Sequence, residues 1–161
     1  MIPTPVRGTT RVDDGVGVVT VVTEYPTPAV DLWEAITAPE RLARWFGDIR
    51  PRSDDAATYD ASLTTGWSGI IRMDECEPTR MIRLTLIDET EPETTVTALL
   101  LPVDGGTQLT IEERGLPTDD LESYVAGWHA QVDQLQADHA GAAPVEWRPR
   151  WEQLRASYRN A

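Results

Sequence analysis

The segment from Tyr25 to Gly47 constrains the fold more than any other part of the chain, because it describes two short helices in direct succession. Thr27 is suited to the N-cap of the first helix and Pro28 to its first turn. A second proline, Pro39, starts another helix after a short break. Gly47 is expected to end that helix in the left-handed conformation that glycine adopts easily. The pattern predicts a helix–break–helix unit.

The apolar side chains of this unit predict an aromatic wall. Val30 and Trp33 share one face of the first helix. The second helix presents Leu42, Trp45 and Phe46 on one face. Two of the six tryptophans and the only phenylalanine of the chain are concentrated on these two small helices. We expect the wall to pack against the core.

Alternating or β-branched stretches elsewhere predict an antiparallel sheet. A polar loop is expected at Asp48–Ala57, with Ser53-Asp54-Asp55 as its exposed tip. The predicted strands are Val18–Tyr25, Thr58–Thr64, Trp67–Glu75, Met81–Ile87, Thr94–Leu101 and Gln108–Arg114.

A long helix is predicted at Asp120–His139. Asp119 is the expected N-cap, and Glu122 follows it at the spacing of a capping box. One apolar stripe runs along this helix with a helical period. The stripe consists of Leu121, Tyr124, Val125, Trp128, Val132 and Leu135.

At 161 residues, the length fits one domain with flanking segments. Residues 1–14 are polar and aperiodic, and we interpret them as an N-terminal tail or edge segment. Residues 15–140 form the predicted ligand-binding domain. Residues 141–161 are a C-terminal extension, with a helix from about Pro149 that carries Trp151, Leu154 and Tyr158 on one face. Three large apolar side chains on one face predict that this helix packs onto the domain.

Five sequence motifs, in order, carry a resemblance to a known family. They are YPTPAVDLWEAITAPERLARWFG from Tyr25, GWSG from Gly66, CEPTRMIRL from Cys76, GGTQLTIEERGL from Gly105 and YVAGWHAQVDQL from Tyr124. Over roughly residues 17–139 the chain resembles the START-like (SRPBCC) superfamily, and within it the homologues of the activator of heat-shock protein 90 ATPase. The resemblance implies an α+β helix-grip fold. In that fold a curved antiparallel sheet of about six or seven strands wraps a long C-terminal helix, and two short helices follow strand one.

Composition excludes several functions. The formal net charge of −13 argues against nucleic acid and against an anionic membrane as partners. The chain has no lysine, which rules out Schiff-base chemistry and a Walker-type phosphate loop. The single cysteine, Cys76, cannot form an internal disulfide, and neither a signal peptide nor a membrane span is apparent. These features predict a cytoplasmic protein, and the arginine-only, alanine-rich composition is typical of GC-rich bacteria.

Strand alternation and the helix stripe select the side chains that should line a cavity between sheet and long helix. Glu113 is the one acidic residue that the alternation directs inward. It would either anchor a ligand or act as a general base, or it would end its strand in solvent or in a bond to Tyr124 or a backbone amide. The expected ligand-binding residues are Trp45, Phe46, Trp67, Ile71, Met73, Leu84, Ala98, Ile111, Glu113, Tyr124, Trp128 and Val132.

The sequence contains no catalytic triad motif and no histidines spaced to share a metal, so we expect no cofactor and no metal. Glu113 is the sole catalytic candidate. Our first hypothesis is non-enzymatic binding of a small hydrophobic or amphipathic molecule. The resemblance implies two alternatives: a polyketide cyclase or aromatase, and a co-chaperone that regulates heat-shock protein 90 ATPase. A chaperone partner is not expected, because the motifs match only the C-terminal domain of that activator, and a homodimer is left open.

Overall fold

A computed structural model describes residues 5–53 and 55–160 of the chain. Within this part the chain alternates between one group of strands and four helices. The elements are β1 Arg7–Asp13, β2 Val16–Tyr25, α1 Ala29–Thr37, α2 Pro39–Trp45, β3 Gly47–Arg52, β4 Asp55–Leu63, β5 Ser68–Glu77, β6 Met81–Asp88, β7 Glu91–Val103, β8 Gly106–Leu116, α3 Leu121–Ala140 and α4 Trp147–Arg159. No helix in these ranges is both long and apolar enough to cross a membrane.

The strands form a single antiparallel sheet in the order β1-β2-β8-β7-β6-β5-β4-β3, and α3 lies across its concave face. The predicted α+β helix-grip fold is therefore confirmed. The described residues contain eight strands instead of six or seven, because both edges of the sheet are longer than expected. The edge strand β1 lies within the predicted tail or edge segment, of which residues 1–4 are outside the described residues.

The polar loop predicted at Asp48–Ala57 is wrong in its first half. The segment Gly47–Arg52 forms the edge strand β3, which pairs with β4 from Gly47↔Leu63 to Arg52↔Asp55. An edge strand with one face in water has no need of apolar alternation, and so its polar sequence concealed it. Asp54, at the predicted loop tip, lies outside the described residues.

Glycine at position 47 is required for a different reason from the predicted one. Gly47 does not end α2 in a left-handed conformation; it is the first residue of β3. A Cβ atom at this position would lie 2.5 Å from the carbonyl oxygen of Ser62. Close approach of two strands therefore excludes a side chain here.

The helix-start predictions were shifted by one residue. Pro28, not Thr27, is the N-cap of α1, and the hydroxyl of Thr27 donates to Asp31 Oδ2 at 2.7 Å instead of capping the backbone. Asp120, not Asp119, is the N-cap of α3, and its side chain makes no capping hydrogen bond.

The aromatic wall exists, but α1 contributes different residues from those expected. Leu32 and Ala35 are the buried positions of α1, whereas Val30 is 59% exposed. On α2, Leu42 and Trp45 are buried, and Phe46 follows them into the core. The Trp45 indole donates to the Ala35 carbonyl oxygen at 2.9 Å, so the two short helices are fixed to each other.

The stripe predicted on α3 faces the sheet. Tyr124 is only half-buried, while the other five members are buried: Leu121, Val125, Trp128, Val132 and Leu135. The opposite face of α3 is also buried, because α4 covers it. Leu154 of α4 packs on Ala126 and Ala130, which are both 0% exposed.

Leu154→Ala should lower the free energy of unfolding by about 2–4 kcal/mol, because the truncation leaves a cavity between α3 and α4. Leu154 is 7% exposed. The control is Leu101→Ala, at a position that is 57% exposed, where we expect a change within about 0.5 kcal/mol. Urea unfolding monitored by circular dichroism measures both. Equal stability of the two variants would contradict the docked position of α4.

Candidate functional site

A cleft of about 400 Å³ opens between α3 and the sheet. Its sheet side is formed by β7, β8 and the β4–β5 connection, which contribute Thr94, Glu113 and Trp67. Its helix side is formed by α3 and α4. The helix-side aromatic residues are Tyr124, Trp128, Trp147 and Trp151. A volume of this size suits a small organic molecule.

The carboxylate of Glu113 lies between the helix and the sheet. The Trp128 indole N–H donates to its Oε1 at 2.8 Å, and the Thr94 hydroxyl donates to its Oε2 at 2.7 Å. The residue is only 8% exposed, so it neither ends its strand in solvent nor bonds to Tyr124. Each carboxylate oxygen keeps further acceptor capacity for a group in the cleft.

Burial raises the pKa of the Glu113 carboxyl above its ordinary value near 4.5, and the hydrogen bonds from Thr94 and Trp128 offset part of that rise. The physical cause is loss of hydration, which disfavours the charged form. A carboxyl with a raised pKa in a cleft is suited either to proton transfer or to pairing with a ligand.

Two polar atoms at the same cleft have no hydrogen-bond partner among the described residues. They are the Ser123 hydroxyl oxygen and the Gln131 Nε2 atom. Gln131 is 3% exposed, and a buried donor without a partner costs on the order of 1–3 kcal/mol. Both residues line the cleft, and a molecule bound there would be placed to satisfy them.

The mouth of the cleft is acidic. Asp88 accepts hydrogen bonds from the backbone N–H and the hydroxyl of Thr90, both at 2.8 Å, and these hold the pKa of its carboxyl below the usual range. Glu91 lines the mouth beside it. The pKa of the Tyr124 hydroxyl is raised, first by burial and then by the negative charges of Glu91 and Glu113. The phenol therefore stays neutral at physiological pH.

Below Trp128 lies a separate apolar space of about 60 Å³. It would hold at most a few water molecules, because one water occupies about 30 Å³ in the liquid. Trp128 borders both this space and the cleft, and its ring stacks on Phe46 with 6.1 Å between the ring centres. Its indole thus forms the wall between them.

The structure divides the predicted ligand-binding residues into three groups. Trp67, Glu113, Tyr124 and Trp128 line the cleft. Five others, Trp45, Phe46, Leu84, Ala98 and Ile111, surround the small apolar space with Trp128. The remaining three line neither space: Ile71 and Val132 are buried in the core, and Met73 is half-buried beside a register shift in β5.

Several residues of the cleft were not predicted. Gln131 lies three residues after Trp128 and four before Leu135, so a polar residue on the apolar stripe was the available signal. Thr94 likewise has the inward alternation of Val96. The contributions of Trp147 and Trp151 had no comparable signal, because they depend on where α4 docks. Their indole groups donate to the carbonyl oxygens of Gly127 at 3.1 Å and Ser123 at 2.9 Å.

A larger groove, of about 730 Å³, lies at the other end of α3, beside the β7–β8 hairpin. Its polar groups are already paired. The Gln136 amide donates to the Thr23 hydroxyl at 2.8 Å, and Arg150 pairs with Asp133 at 2.6 Å. We therefore place the candidate site in the smaller cleft, where buried polar atoms lack partners.

The fold and cleft define a helix-grip protein with a partly polar binding site. Residues 26–139 match the family described as activator of Hsp90 ATPase homolog 1-like protein. This match spans well over half of the chain, so the chain belongs to that family, and the resemblance to the START-like (SRPBCC) superfamily is confirmed. None of the curated proteins compared matches the chain.

Solved structures share the fold. CalU16 from Micromonospora echinospora is 21% identical with a TM-score of 0.74, covering 98% of this chain and 96% of CalU16. EF2215 from Enterococcus faecalis, a protein of unknown function, is 14% identical with a TM-score of 0.73, covering 96% of this chain and 89% of EF2215. DynU16, a protein in the dynemicin biosynthetic locus, is 24% identical with a TM-score of 0.55, covering 88% of this chain and 48% of DynU16. Likeness at these identities shows the fold alone.

Glu113→Gln should stabilise the protein at about pH 8 by roughly 1–2 kcal/mol. Above about pH 4.5 the unfolded chain releases the Glu113 proton while the folded protein retains it, so the stability of the unmodified protein falls as the pH rises. Glutamine does not titrate and can keep the hydrogen bonds to Trp128 and Thr94. The difference should shrink towards pH 4, and urea unfolding at both pH values measures it.

The matched control is Glu112→Gln, which removes the same charge on the opposite face of the sheet. The Glu112 side chain is 35% exposed and lies 3.6 Å from Arg11 and from Arg114. Because such ion pairs are weak, we expect a change within about 0.5 kcal/mol at either pH. A Glu113→Gln protein that is less stable than the unmodified one at pH 8 would show that the hydrogen bonds outweigh the effect of burial.

Proposed function

We propose that this protein binds a small, flat, amphipathic molecule in the cleft between α3 and the sheet. Membership of the family and the helix-grip fold support a role in ligand binding. The aromatic side chains around the cleft offer flat apolar surfaces, and Glu113 offers an acceptor at its inner end. The ligand lies with its apolar part against the indole rings and its polar part towards Glu113.

The observation that carries the proposal is the unpartnered amide nitrogen of Gln131. A buried donor without a partner lowers the stability of the free protein, and a ligand oxygen would remove that cost. Ser123, which also lines the cleft, offers a second such group. Binding sites often retain polar groups that are unfavourable in the free protein, because the bound molecule satisfies them.

Titration by tryptophan fluorescence tests the proposal directly, since Trp67, Trp128, Trp147 and Trp151 line the cleft. The panel should include lipids, flavonoids and aromatic polyketides. We expect saturable quenching by at least one flat amphipathic compound, and Trp128→Phe should reduce the change in signal. A panel that leaves the fluorescence unchanged would contradict the proposal.

A second candidate function is catalysis of the polyketide-cyclase type. The observation that favours it is Glu113, whose raised pKa suits a general acid or base, next to the neutral phenol of Tyr124. The occurrence of DynU16 in a biosynthetic locus adds support by analogy of fold alone. Product analysis on the same panel separates the two functions: a product that Glu113→Gln abolishes supports the enzyme, and binding without conversion supports the binding protein.

Gln131→Met should stabilise the free protein and weaken ligand binding at the same time. Methionine has a similar length and removes the unpartnered donor, so Tm should rise, while affinity should fall by about tenfold with the loss of one hydrogen bond. Thermal unfolding and fluorescence titration measure the two effects.

Gln136→Met is the matched control on the same helix. The Gln136 amide donates to the hydroxyl of Thr23, which is 1% exposed, so this substitution removes a bond that already exists. It should lower Tm and leave affinity unchanged. A lower Tm for Gln131→Met would mean that its amide is already paired in the free protein, and the argument for a ligand partner would fail.

A further inference from the structure

We propose that the molecule bound in this cleft is a cation, a protonated amine on an aromatic frame, and that Glu113 is its counter-ion. This inference rests on the proposed function, because it assigns the charge of the ligand for the same site. Four features of the cleft lead to it: its charge, the free acceptor capacity of Glu113, its aromatic surfaces and the unpartnered Gln131.

The titratable groups of the cleft all have one sign. Asp88 on β6, Glu91 on β7, Glu113 on β8 and Tyr124 on α3 line it. None of the described residues that line the cleft is arginine or histidine, although the chain has 14 arginines. An anionic ligand would meet three carboxylates and no counter-charge. A cationic ligand would find the compensation that a desolvated charge needs.

Glu113 is the one carboxylate of the cleft that is buried, and its neighbours leave it without a cation. Its two hydrogen bonds come from neutral donors, the Trp128 indole and the Thr94 hydroxyl. Its strand neighbours in the sheet, Val19 and Val96, are apolar. An ammonium group in the cleft would reach unused lone pairs of the carboxylate, and charge-assisted hydrogen bonds of this kind are about twice as strong as neutral ones.

The aromatic lining favours the same charge. Trp67, Tyr124 and Trp128 line the cleft around Glu113, and the face of an aromatic ring attracts a cation. The chain already contains such a contact nearby, since the guanidinium carbon of Arg155 lies 4.3 Å from the centre of the Trp151 ring. Arg155 does not line the cleft, so it does not provide the missing counter-ion of Glu113.

Gln131 adds a requirement for oxygen. Its unpartnered atom is the amide nitrogen, which donates, so it needs an acceptor such as a carbonyl or hydroxyl oxygen. An ammonium group cannot accept a hydrogen bond. The inferred ligand therefore carries an amine for Glu113 and a neutral oxygen for Gln131 on one flat frame.

A matched pair of probes tests the charge. The cation is 1-naphthylmethylammonium and the neutral compound is 1-naphthylmethanol, which has the same ring and nearly the same size. Isothermal titration calorimetry at about pH 7.5 should show the cation binding the unmodified protein at least about tenfold more tightly. Glu113→Gln should remove this preference while still binding the alcohol, and Glu112→Gln, which faces the other side of the sheet, should keep it.

A second measurement needs no variant. Because the free protein holds the Glu113 proton more strongly than an ordinary carboxyl does, pairing with an ammonium group should release protons. The binding enthalpy of the cation should then depend on the ionisation enthalpy of the buffer, while that of the alcohol should not. The proton comes from Glu113, since the pKa of Asp88 is already lowered and Tyr124 is neutral with or without the ligand.

The outcomes separate this inference from the proposed function. If the alcohol binds as tightly as the cation, or if the preference survives Glu113→Gln, the cleft binds small molecules but the charge inference is wrong. Cation binding without proton release also overturns it. If neither probe binds the unmodified protein, the proposed function fails, and the inference fails with it.

Discussion

Burial of α3 on two opposite faces is the constraint around which the rest of the structure is arranged. Val125 and Val132, both 0% exposed, pack towards the sheet, while Ala126 and Ala130 pack under α4. Small residues on one face let a second helix approach closely, and large residues on the other fill the space above a curved sheet. This close approach brings the tryptophans of α4 to the edge of the cleft. The C-terminal extension is therefore part of the binding site as well as a cover for the core.

The bond between Trp128 and Glu113 connects this packing to the chemistry of the cleft. It joins the middle of α3 to the central part of the sheet, and the bond from Thr94 fixes the same carboxylate to β7. A neutral pair of similar shape would give the fold the same link with less loss of hydration. The combination of a buried carboxyl and the unpartnered amide of Gln131 is unfavourable for folding alone, which is typical of a site adapted to bind something.

The sequence predicted the fold well and the site in part, for identifiable reasons. Strand alternation placed Glu113 inward because the period of a strand is two and one face is buried. Alternation failed at β3, where an edge strand in water carries no such pattern, and the N-cap predictions failed because Thr27 bonds to Asp31 instead. The contact between α4 and the cleft depends on helix docking, to which a local pattern has no access. No local signal at Trp147 could have placed it there.

Trp128 shows how a shared fold can present different binding sites. The helix-grip architecture leaves space between sheet and helix, but here Trp45, Phe46 and Trp128 reduce the inner part to about 60 Å³. That is far below the ~300 Å³ or more of typical ligand pockets, so the usable space is the outer cleft. Rotating the Trp128 indole would join the two spaces, but it would also take one donor from a buried carboxylate. The depth of the site is therefore coupled to the charge of Glu113: the wall is held most firmly when the carboxylate is ionised, because a charged acceptor strengthens the bond from the indole.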